Sequence, residues 1–74
     1  MERVVDARGL ICPLPALRAR AALAALAPGD VLVVLATDPE APVDIGALAA
    51  DGGHVLRTVE HPGGWRFELV KAAQ

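Results

Sequence analysis

Cys12 is the only cysteine in this 74-residue chain, and two of the next three residues are prolines. The stretch GLICPLPALRAR, Gly9 to Arg20, therefore sets one thiol at the entrance of a leucine-, alanine- and arginine-rich run. Such a thiol is either a small buried apolar residue or a nucleophile presented at a helix end. If the helix begins at Pro13, Cys12 is its N-cap, and the helix dipole lowers the thiol pKa by favouring a thiolate. Pro13 and Pro15 have no N–H, so two of the usual unpaired helix donors are missing. The amides of Leu14 and Ala16 then remain to donate to sulfur. No carboxylate cap sits there to neutralise the site, and Arg8 and Arg18 add positive potential. Leu14, however, precedes a proline and is disfavoured in the helical region. A helix that starts at Pro15 instead leaves Cys12 outside the first turn, where the dipole acts more weakly.

The residue types that are missing narrow the chemistry. There is no serine, asparagine or tyrosine, and the single lysine is Lys71, close to the C-terminus. Serine hydrolysis is excluded and a well-placed Schiff-base lysine is disfavoured, so Cys12 is the one strong nucleophile. One cysteine also excludes an internal disulfide framework, CxxC redox chemistry and a cysteine-based zinc site built from this chain alone. His54 and His61 lie far along the chain, where a turn position is more common than a general-base role. A Cys12, His54 and Asp38 metal site has no close ligand pair to seed it, so no metal is expected.

Composition sets the frame. A chain of this length forms one domain, residues 1–74, near the lower limit for a core without staples. Its 54% hydrophobic content suffices for one small core. A formal net charge of −2 gives no pull toward nucleic acid. The N-terminal MERVVDARG carries charges where a signal peptide would be apolar, and no uncharged run is long enough to span a membrane. A reducing cytoplasm and a monomer are the expectations.

The elements that position Cys12 follow from apolar periodicity. Glu2–Asp6 is a short strand and about Pro13–Ala27 a helix closed by PGD. Val31–Thr37, VLVVLAT, is a near-continuous apolar run expected of a central strand. Pro42 opens a second helix to about Ala50, and Gly52 or Gly53 supplies its left-handed end. His54–His61 and Trp65–Lys71 form a hairpin around PGG. On the last strand Trp65, Phe67 and Leu69 face one way, and Arg66, Glu68 and Val70 the other. The predicted fold is α+β, a two-layer α/β sandwich of order βαβαββ. Right-handed crossovers put two helices on one face of a four-stranded mixed sheet.

On the first helix Ala16, Ala19, Leu23 and Leu26 share one face, while Leu14, Leu17, Ala21 and Ala25 share the opposite one. Arg18 lies with the second set and Arg20 at the edge of the first. The Leu23 and Leu26 face is assigned to the sheet. That leaves Leu14 and Leu17 beside Cys12 as either loop-covered residues or an apolar docking spot.

The combination DARGLICPLP, ALAAL, PGD, TDP, DIGAL and GH resembles the TusA/SirA-like sulfur-carrier family over Val4 to about Lys71. The family hallmark, Cys-Pro-x-Pro after the first strand, is matched by Cys12, Pro13, Leu14 and Pro15. The resemblance implies a persulfide carried covalently on Cys12, with no other cofactor, and helix-start roles for Pro13 and Pro15. It implies a cysteine desulfurase or rhodanese-like donor and a downstream sulfur-accepting protein, in tRNA thiolation, cofactor sulfuration or sulfur oxidation. Arg18 and Arg20 match the family's basic first helix, but Ala21 stands where a further basic residue is frequent. Leu14, Leu17, Arg8, Arg18 and Arg20 are thus the candidate partner-binding residues. A second cysteine found in some relatives is absent here, which excludes an internal sulfur relay. The competing readings are a regulatory or adaptor domain and a redox-sensing thiol.

Overall fold

Val31–Ala36, the run with the most continuous apolar character, is buried or half-buried along its whole length and forms the second strand, β2. As an interior strand with a neighbour on each side it is shielded along both edges, and its apolar side chains in both alternating sets are buried or half-buried. The structure is a computed structural model that describes residues 2–73. Its elements are β1 (Glu2–Asp6), α1 (Leu14–Ala24), β2, α2 (Ala41–Gly52), β3 (Val55–His61) and β4 (Gly64–Val70). The sheet order is β1-β2-β4-β3. β1 runs parallel to β2, with Val4 opposite Val33. β4 runs antiparallel to both neighbours, with Phe67 opposite Val34 on one side and Thr58 on the other.

The two helices pack on one face of this mixed sheet. Ala19, Ala22, Leu23 and Leu26 near or on α1 join Ala41, Ile45 and Ala49 of α2 in a single core. Leu32, Val34 and Ala36 of β2 and Phe67 and Leu69 of β4 close it from the sheet side. Alanines on the inner helix faces let both helices sit close to the strands. Phe67 is the largest fully buried side chain, and such burial is worth roughly 2–3 kcal/mol. The Leu23 and Leu26 face of the first helix thus packs inward, and Leu14 and Leu17 are exposed at 40% and 51%.

The boundaries differ from expectation where caps decide them. α1 begins at Leu14, between the two proline alternatives, and stops at Ala24 rather than Ala27. Ala25 and Leu26 donate to the carbonyls three residues back, a tightened last turn that ends the helix. Lys71 Nζ then donates to the carbonyls of Leu23 and Leu26, at 2.6 and 2.5 Å. α2 runs on to Gly52 because Gly53, at φ +70°, is the left-handed cap residue. Its amide returns to Ala50, and that of His54 to Ala49 at 2.9 Å. The β3–β4 hairpin folds its Gly64 so close to Ala36 that a Cβ there would strike the Ala36 carbonyl. Among the described residues, no helix is long and apolar enough to cross a membrane.

Candidate functional site

The parallel arrangement of β1 and β2 brings their C-terminal ends, and so the starts of α1 and α2, to one end of the molecule. The loop from Ala7 to Pro13 crosses that end and carries Cys12. It is tied down by the chain that leaves β2. Ala7 donates its amide to the Leu35 carbonyl at 2.8 Å. Gly9 donates to Thr37 Oγ1 at 3.0 Å, and Cys12 to Asp38 Oδ2 at 3.2 Å. The other Asp38 oxygen, Oδ1, accepts the amide of Glu40 at 2.7 Å. Asp38 therefore joins the thiol-bearing loop to the entrance of α2 through two backbone donors. The Cys12–Pro13 peptide bond is cis.

Cys12 itself is exposed. Pro15, by contrast, is buried against the core, so the two motif prolines differ in role: one flanks the thiol and one anchors the helix. Around the thiol stand apolar side chains with no cover. Ile11 is 70% exposed and Val43, on the first turn of α2, is 67% exposed. Together with Leu14 and Leu17 they form an apolar rim at this end of the protein. Arg18 is exposed one helical turn after Leu14, on the same strip of α1.

The electrostatics overturn the expected activation of the thiol. The Cys12 pKa is not lowered but pushed up to about 11. The largest cause is hydrogen bonding to the Asp44 carboxylate, followed by desolvation and the charges of Asp44, Asp38 and Glu40. A carboxylate accepts from a neutral thiol and repels a thiolate, so it favours the protonated form. Asp44 Oδ2 is buried and takes no hydrogen bond of full geometry from any described residue, which leaves the thiol as the donor at hand. The expected amide donors are not used either: Leu14 donates to the Ile11 carbonyl at 2.9 Å, and α1 has no side-chain cap. A helix end does face this region, but three carboxylates stand at it: Asp38 before α2, Glu40 at its N-cap and Asp44 in its first turn.

Arg8 does not supply the positive potential expected of it. Its guanidinium holds the Asp6 carboxylate through Nε and Nη2, at 2.8 and 2.7 Å. That pair keeps Asp6 down at about 2, and Arg8 is spent on it. Arg20 points elsewhere. It lines a cavity of about 370 Å3 with Leu23, Leu48, Asp51, His54 and Lys71, where both helices end. His54 belongs to that far end, with Nδ1 accepting the Ala72 amide at 2.9 Å. It shares no site with Cys12, so the Cys12, His54 and Asp38 metal set does not come together. His61 is exposed at the end of β3.

Residue patterning along one element did not expose Asp44, Glu40, Ile11 or Val43 as site residues. The signal was the TDP and DI stretches, whose acids gain their role only when β2 and α2 are placed beside the loop. The assembled site is an accessible thiol, held protonated, with an acceptor for its proton beside it and an apolar rim around it. It suits sulfur or disulfide exchange with another protein's sulfur.

The chain is similar to known proteins over most of its length. The family described as sulfurtransferase TusA matches residues 3–71. The sulfur carrier protein TusA of Allochromatium vinosum is 43% identical over 70 residues, covering 95% of this chain and 92% of the relative. A Neisseria meningitidis protein described as a candidate sulfur carrier is 54% identical over 55 residues, 74% of each chain. The crystal structure of a SirA-like protein from Desulfitobacterium hafniense superposes with a TM-score of 0.81. It is 27% identical, and the match covers 97% of this chain and 99% of that one.

Proposed function

The chain belongs to the TusA family, and from that premise we propose that it is a sulfur carrier in which Cys12 receives sulfur as a persulfide and passes it on. In the receiving step Cys12 Sγ attacks the terminal sulfur of a donor persulfide. One S–S bond forms on Cys12 and one breaks on the donor. The thiol proton leaves past the Asp44 carboxylate and ends on the donor's departing thiolate. Sulfur is moved with no net oxidation or reduction, so no oxidant is required. The delivery step is the same exchange with Cys12 as donor.

The observation that carries this proposal is an exposed, solitary cysteine on a loop fastened by Asp38 and ringed by uncovered apolar side chains. With no second thiol in the chain, a persulfide on Cys12 has no internal route of discharge. Pro13 and Pro15 shape the helix entrance, and Leu14, Leu17 and Arg18 are the contacts assigned to partners. A cysteine desulfurase or rhodanese-like protein is the donor, a biosynthetic sulfur-accepting protein the acceptor, and the cytoplasm the setting.

Incubation with a cysteine desulfurase and cysteine, followed by intact mass, tests the proposal. A gain of one sulfur atom is expected, removed by reductant and absent in Cys12→Ala. No gain with desulfurase or with a persulfidated rhodanese would overturn it.

A further inference from the structure

The apolar rim and the acids of the α2 entrance point to the chemistry of whatever meets Cys12. Ile11, Leu14, Leu17 and Val43 are exposed around the thiol. Beside the thiol stand Asp38, whose two oxygens accept the amides of Cys12 and Glu40 at 3.2 and 2.7 Å, the exposed Glu40 itself, and Asp44, whose buried Oδ2 takes no other hydrogen bond among the described residues. The basic groups of the same region do not offset them. Arg8 is taken by Asp6, Arg20 lies toward the far cavity, and Arg18, one turn beyond Leu14 on α1, is not among the charges that act on the thiol. The centre of the face is thus negative and its border apolar.

We propose that this face docks a protein partner that presents a cationic side chain, lysine or arginine, within an apolar surface beside its own reactive sulfur. The inference rests on the sulfur-carrier reading and adds the partner's chemistry to it. A cation set among Asp38, Glu40 and Asp44 offsets the charge that keeps the Cys12 proton in place. The thiol then becomes reactive when the correct partner arrives and stays idle otherwise. Charge complementarity of this kind favours encounter with matching partners and suppresses encounter with anionic ones. Leu14 and Leu17 supply apolar contact, and the carboxylates select by charge.

Two small disulfides measure the charge selection without any sulfur donor. Cystamine is cationic and 3,3'-dithiodipropionate is anionic. In each exchange Cys12 sulfur forms one S–S bond, the probe's S–S bond breaks, and the released thiol carries the proton away. At low ionic strength Cys12 is expected to react roughly tenfold faster with cystamine, with the ratio falling toward one in 0.5 M salt. The exposed Glu40→Gln should reduce the ratio, and the double variant Glu40→Gln with Asp44→Asn should bring it close to one. Equal rates in the unaltered protein, or a ratio indifferent to Glu40→Gln, would overturn the proposal. The rim is tested by Leu17→Gln, which adds no charge and should slow sulfur transfer from a persulfidated cysteine desulfurase about tenfold. Unchanged transfer would refute the docking half. Charge selection without sulfur gain would defeat only the carrier reading, and sulfur gain without charge selection only this inference.

Discussion

The Cys12 thiol and the Asp44 carboxylate face one another across the gap between the starts of α1 and α2, and Asp44 is the main reason the thiol holds its proton. The pair joins the loop after β1 to the first turn of α2, 32 positions further along the chain. It gives a resting carrier whose sulfur is accessible yet weakly reactive.

The alkylation rate of Cys12 should therefore rise with pH toward a midpoint near 11, where an ordinary thiol levels off near 9. A midpoint near 11 in place of 9 cuts the thiolate population about 100-fold at neutral pH. A more basic thiolate is also more nucleophilic, so the net slowing in disulfide exchange is about tenfold. The linkage has a definite sign. The folded state binds this proton more tightly, so its contribution to stability is full below the ordinary thiol range and lost as pH rises through about 11. Iodoacetamide kinetics followed by mass from pH 6 to 11 check this. A plateau at or below pH 8.5 would contradict the assigned role of Asp44.

Asp38→Ala should loosen the loop. The substitution removes the acceptor for the amides of Cys12 and Glu40. Hydrogen bonds to a charged group of this kind are worth about 1–2 kcal/mol together once water competes for the donors. A matching loss in urea stability is expected, with faster amide exchange at Cys12 and Glu40 than at core strand positions. Unaltered exchange at Cys12 would show that the loop is held by its other ties, at Ala7 and Gly9.

How far the sequence foretold all this differs between fold and site, for a physical reason. Strand and helix order follow from short-range periodicity, so VLVVLA and the alternation of Trp65, Phe67 and Leu69 were legible residue by residue. Gly53 and PGG marked their turns because positive φ leaves few other residues available. The thiol was legible too, but its ionisation was not. Charge at a site sums over groups that are distant in the chain, and Asp38, Glu40 and Asp44 reach Cys12 only through tertiary placement. Arg8 misled for the opposite reason: its partner Asp6 is two residues away and takes it first.

Phe67→Ala should unfold most of the population near physiological temperature. Phe67 is fully buried and stands between β2 and β3 on the helix-facing side of β4. Truncation there costs about 3–5 kcal/mol, a large part of what a domain this small possesses. Phe67→Leu keeps most of the volume and should lose only about 1–2 kcal/mol while retaining a cooperative transition. Circular dichroism with urea titration separates the two. A Phe67→Ala protein as stable as the parent would mean that the core closes without this ring.

Lys71→Met tests whether the two ends of the molecule act independently. Lys71 Nζ donates to the carbonyls of Leu23 and Leu26, at the end of α1 and just past it, and the first of these also accepts the Leu26 amide. Its charge also complements the negative end of that helix. Methionine keeps the apolar stem and removes both donors and the charge, for a loss of about 1–2 kcal/mol. In a domain of this size that corresponds to a fall in Tm of roughly 5–10 °C. The cap lies where the helices end, whereas Cys12 lies where they begin, and no charge from the far end acts on the thiol. Thermal denaturation should therefore shift while the pH profile of Cys12 alkylation stays in place. A shift in that profile would mean that the C-terminal cap sets the position of α1 along its whole length, and with it the distance between Cys12 and Asp44.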